Sequence, residues 1–89
     1  MKVIVTVIGK DRVGIIAEVC ALLAEHNVNV LDISQTILQD YFTMVMMADI
    51  SGCAMPFAEL VKLLADRGKE TGLEIHVQRE DIFNAMHRI

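Results

Sequence analysis

The residues best suited by type and spacing to bind a ligand are Gly9-Lys10-Asp11-Arg12-Val13-Gly14-Ile15-Ile16. A β-branched run, Val3-Ile4-Val5-Thr6-Val7-Ile8, precedes them, and a helix-periodic run to His26 follows. The chain therefore passes from strand to helix at this point. A helix N-terminus offers unpaired backbone N–H groups and a partial positive charge, so a tight turn entering one suits a carboxylate or other small anion. Gly9 and Gly14 lack Cβ, which frees the turn and lets a ligand approach the backbone closely. The same two glycines also suit a turn that serves only helix packing.

The other reactive side chains form no readable constellation. No Ser/His/Asp or Cys/His arrangement stands at usable spacing, so no catalytic residue is expected and the chain does not read as an enzyme. His26, His76 and His87 fall at a helix end, in a strand and in the tail. Cys20 lies on an apolar helical stripe, where a small buried hydrophobe is the ordinary reading. Cys53 sits beside Gly52 in a loop with no nearby positive charge to activate a thiol. Two distant cysteines without a CxxC or a Cys/His cluster argue against a disulfide scaffold and a zinc site, and fit a reducing, cytoplasmic compartment. No metal and no cofactor is expected.

Hydrophobic and helical periodicities outline the elements that must position the turn. On the first strand, Val3, Val5 and Val7 alternate with Ile4, Thr6 and Ile8, so both faces are largely apolar and something must cover the second. Val13 to His26 reads as a helix with Ile16, Val19, Cys20 and Leu23 inward, closed by Asn27 as a left-handed cap. Val28 to Leu38 reads as a second strand, with Val28, Val30, Asp32, Ser34 and Thr36 sharing one face and Asn29, Leu31, Ile33, Gln35 and Ile37 the other. A turn at Gln39-Asp40 leads into a third strand, Tyr41 to Ile50. Pro56 opens a second helix carrying Phe57, Leu60, Val61 and Leu64, which ends around Gly68 to Gly72. Leu73 to Gln78 alternates as a fourth strand.

Glu80 to Ile89 remains. Ile82, Phe83, Met86 and Ile89 share one helical face, with Glu80 and Asp81 at the start and His87 and Arg88 near the end, as the helix dipole favours. A short C-terminal helix is expected to cover the open sheet face or to pack on a partner chain. Residues 1–79 then form one domain and 80–89 a helical extension.

Bulk properties narrow the function classes. At 89 residues the chain holds one domain. With 54% hydrophobic and 22% charged residues it reads as globular, and no apolar run is long enough to span a bilayer. The apolar start is cut at Gly9-Lys10-Asp11 with no small-residue cleavage site, so it reads as a strand rather than a secretion signal. A net charge of −4 with scattered Lys and Arg disfavours nucleic acid as a partner. Met44, Met46, Met47 and Met55 suit core filling or an adaptable apolar surface.

The order β-α-β-β-α-β is the ferredoxin-like α+β pattern, with an antiparallel sheet ordered 4-1-3-2 and both helices on one face. In this setting Gly9 to Ile16 at the first turn, together with Asn27-Val28-Asn29-Val30 opening the second strand, resembles the ACT domain over residues 2 to about 79. The resemblance is nearest to small standalone ACT proteins of bacteria and archaea, which are similar to the ACT units of the glycine-cleavage regulatory protein. It implies a regulatory homodimer that binds a small effector, typically an amino acid, between subunits, with a regulatory protein as a further target. Carried over by position, the ligand residues are Gly9, Asp11, Gly14 and Asn29. Asp11 would accept from a ligand ammonium, while the Asn29 amide and Gly14 N–H would meet a carboxylate. Asp11 as a helix cap and Asn29 as a partner for strand-entry backbone are the non-ligand alternatives. Val13 stands where many members carry proline, and an association module without a ligand is the alternative function.

Overall fold

The computed structural model describes residues 1–81. Its elements run β1 (Lys2–Lys10), α1 (Ile15–Glu25), β2 (Asn29–Leu38), β3 (Tyr41–Asp49), α2 (Phe57–Thr71) and β4 (Leu73–Arg79). The strands form one antiparallel sheet ordered β2-β3-β1-β4. Read from the other edge, this is the expected 4-1-3-2 order. The helix expected over Glu80–Ile89 lies, beyond Asp81, outside the described residues.

Side chains alternate across a pleated strand, so the register sorts the sheet into two faces. Val3, Val5 and Val7 of β1 stand level with Ala48, Met46 and Met44 of β3, and Val5 and Val7 with Val77 and Ile75 of β4. All of these are buried, and they form one core with Ile15, Val19 and Leu23 of α1 and Leu60 and Leu64 of α2. Both helices therefore pack on the same face. Met44 and Met46 are core residues, whereas Met47 and Met55 are only partly buried.

Several expectations are corrected. α1 begins at Ile15 rather than Val13, because Gly14 takes a left-handed conformation (φ 91°) and sets the helix start behind it. Its inward residues are Ile15, Val19 and Leu23, while Ile16 lies toward solvent. α2 ends within the stretch expected, running through Gly68 to Thr71 and stopping at Gly72, whose φ of 78° is the usual left-handed terminator. Gly68 is needed inside the helix, since a Cβ there would stand 2.7 Å from the Leu73 carbonyl oxygen. Its absence lets α2 lie close on β4.

In β2 the face assignment is reversed beyond Val30. A bulge between Val30 and Asp32 adds one residue, so Val30, Ile33, Gln35 and Ile37 stand level with the buried face of β3, and Asp32, Ser34, Thr36 and Leu38 with the other. The second strand starts at Asn29 and the third ends at Asp49, each one residue short of expectation. Asn27 takes the expected left-handed conformation (φ 61°), and its side-chain amide donates to the Gly52 carbonyl at 3.0 Å.

Candidate functional site

β1 ends at Lys10 beside Tyr41, and the following turn lies against the tip of the β2–β3 hairpin. There the backbone N–H of Asp11 donates to the Asp40 carbonyl at 2.7 Å. This bond holds the backbone and leaves the Asp11 side chain exposed, without a hydrogen bond or ion pair among the described residues. Val13 projects from the turn at 98% exposure. Gly14 occupies the N-cap position of α1, and no side chain caps that helix. Asp11 therefore does not act as the cap. A Cβ at Gly14 would meet nothing within 4 Å, so the glycine answers to backbone conformation alone.

Gly9 sits differently. Within β1 it is paired with Phe42 and Leu73, and a Cβ would come within 2.6 Å of Leu73 Cδ2 and 3.3 Å of the Gly72 carbonyl oxygen. Its missing side chain accommodates the chain entering β4. Asn29 opens β2 beside Asp49, which stands beside Lys2. The turn lies at the Lys10 end of the same sheet, about 26 Å away at roughly 3.3 Å per residue. The fold thus brings Gly9, Asp11 and Gly14 to one end and puts Asn29 at the other end of the same chain.

One residue at the turn is not picked out by the sequence. Arg12 donates from Nη1 to Glu18 Oε2 at 3.0 Å and from Nη2 to the Thr71 carbonyl at 3.3 Å. A single guanidinium thus ties the turn to α1 and to the last turn of α2. The helices are otherwise parted by a groove of about 400 Å³ whose floor includes Val19, Leu22, Leu73 and Ile75. Arg67 reaches Glu25 at 3.8 Å along the same groove. No sequence period announces the Arg12 bridge, because its partners come from two different elements.

Electrostatics at the Asn29 end centre on Asp49. The Ser51 hydroxyl donates to its Oδ1 at 2.6 Å and the Ser51 N–H at 2.9 Å, with the N-terminal ammonium 3.6 Å away. These donors, the hydroxyl foremost, hold the carboxyl below its ordinary value. Among the described residues no three His, Cys, Asp or Glu side chains are grouped to hold a metal ion. No helix of the described residues is long and apolar enough to cross a membrane. Cys20 and Cys53 are both free thiols.

Comparison with known proteins matches this arrangement of elements. The family model described as ACT domain matches residues 2–78. A UPF0237 protein of Listeria monocytogenes is 53% identical over 89 residues, covering 100% of both chains. A UPF0237 protein of Methanocaldococcus jannaschii is 52% identical over 88 residues, covering 99% of this chain and 98% of the other. Among solved structures, an ACT domain protein from Streptococcus pneumoniae superposes with a TM-score of 0.83 at 40% identity, covering 98% of each chain. With a family model spanning nearly all of the described sheet and helices, and relatives matched end to end, the chain belongs to the ACT domain family.

Proposed function

We propose that this protein is a non-enzymatic, cytoplasmic regulatory module that binds a small zwitterionic effector, such as an amino acid, as a homodimer. The observation that carries this reading is the start of α1, where the left-handed Gly14 occupies the N-cap position and no side chain caps the helix. The backbone N–H groups of a helix start, with the helix dipole, favour a carboxylate. Asp11, exposed and without a side-chain partner among the described residues, stands three positions before Gly14 to accept from an ammonium group.

Asn29 joins this site if two copies pair through β2. That strand is a sheet edge, and Leu31, Ile33, Ile37 and Leu38 on it are exposed. An antiparallel, two-fold pairing centred between Ile33 and Ser34 sets Asn29 of the partner subunit opposite Leu38, at the end of the sheet where the turn lies. Each site then takes Gly14 and Asp11 from one chain and an amide from the other. Gly9 supports the turn through its close packing on Leu73 rather than by touching the effector.

Calorimetry and thermal shift against the proteinogenic amino acids test the reading. At least one should raise the melting temperature, and Asp11→Ala should abolish that response while leaving the ligand-free melting temperature unchanged. The exposed edge of β2 also favours a second reading, an association module without a ligand. A stable dimer that responds to no amino acid selects it.

A further inference from the structure

The groove between the two helices takes no part in the proposed effector site, and its charges are unbalanced. Glu18, Leu22 and Glu25 recur at helical spacing along the α1 side, and Arg67, Glu70 and Thr71 along the α2 side. The floor of Val19, Leu22, Leu73 and Ile75 is apolar, and the space of about 400 Å³ is on the scale of a small-molecule site.

Two guanidiniums already occupy part of the rim. Arg12 lies on Glu18 and on the Thr71 carbonyl, and Arg67 reaches Glu25 at 3.8 Å. Glu70, between Arg67 and Thr71 on α2, has no hydrogen bond or ion pair among the described residues. Three carboxylates thus face two guanidiniums, which leaves one negative charge in excess beside an apolar floor. Two neighbouring groups act in the same sense. The Thr71 hydroxyl commits its hydrogen to the Gly68 and Arg67 carbonyls, at 3.1 and 3.3 Å, so toward a ligand it can only accept. α2 ends at Thr71, which puts the negative end of its dipole at the same place.

We propose that this groove binds an organic monocation, a primary ammonium carried on an apolar body and lacking a carboxylate, with Glu70 as its counter-ion and the body against Leu22. A carboxylate added to such a ligand meets the excess negative charge of the rim and costs affinity. Asp11 and Gly14 take no part, so the proposal stands apart from effector binding at the turn.

Methyl NMR titration of the full chain tests it with n-pentylammonium, pentanol and norleucine, which share an apolar body and differ in their polar groups. Pentylammonium should shift the Val19, Leu22 and Leu73 methyl signals saturably. Uncharged pentanol and zwitterionic norleucine should bind this groove several-fold more weakly. Glu70→Gln should weaken pentylammonium several-fold, to the level of pentanol, and leave the melting temperature unchanged, since the side chain is exposed and unpaired. Asp11→Ala should not alter amine binding, so the response at the turn and the response in the groove are read separately. Equal affinities for pentylammonium and pentanol, tighter groove binding of norleucine, or indifference to Glu70→Gln overturn the proposal. Absence of saturable shifts also overturns it, as does binding that appears only once a dimer is diluted apart, since a second copy then fills the groove.

Discussion

The two edges of the sheet are built on opposite principles. β4 is short, and α2 lies close on it through Gly68, burying Leu73, Ile75 and Val77, while Glu74, His76 and Arg79 face solvent. Charged side chains on a short strand discourage a further strand from pairing. β2 is the longer strand, touched sparsely by α1, and every residue of it except Val30 is exposed, including four large aliphatics. An edge of that kind is a template for pairing unless something covers it. The difference teaches where the proposed pairing would act: one edge strand is packed on one face by its own helix and carries charge on the other, while the other is long, bare and aliphatic.

The largest contrast should appear on truncating matched isoleucines. Ile75→Ala on β4, at 4% exposure, should destabilise the fold by about 2–5 kcal/mol, because the cavity forms in a packed core. Ile37→Ala on β2, at 54% exposure, should leave monomer stability within about 0.5 kcal/mol. Denaturant titration at low protein concentration measures both, and equal losses would erase the distinction between the edges.

Ile33→Lys sharpens the comparison from the other side. Two lysines would meet near the proposed two-fold axis, so sedimentation should show dissociation of any dimer with the fold retained, as read by circular dichroism. A dimer that persists would move the interface away from β2.

A smaller effect is expected at the turn joining the edges' central neighbour to α1. Gly14→Ala should cost about 1–2 kcal/mol, all of it from placing Cβ at φ 91°, because the space around it is empty. The same substitution should weaken effector binding, measured by calorimetry, by shifting the amides that follow.

The smallest effect concerns pH. The Asp49 carboxyl titrates below its ordinary value because the Ser51 hydroxyl and N–H donate to it. A depressed folded-state value stabilises the fold above the ordinary carboxylate range, and that contribution disappears as pH falls through the lower folded value. Asp49→Asn should flatten this part of the pH–stability curve and leave the rest unchanged. Asp49 is solvent-exposed, so the change should be slight.

The sequence by itself determined the element order, the alternation of Val3, Val5 and Val7 into the core and the left-handed Asn27, because each follows from local backbone preference or a repeating hydrophobic period. Tertiary structure alone decided the rest. The bulge at Leu31 reverses the faces of β2 only because β3 fixes the register on either side of it. Gly68 stays inside its helix because β4 approaches there. Arg12 gains its role from two helices it does not belong to, and Asn29 stands far from the turn because β1 and β2 carry them to opposite ends of one sheet. These are relations between residues distant in the chain, and no period of two or 3.6 residues can encode them.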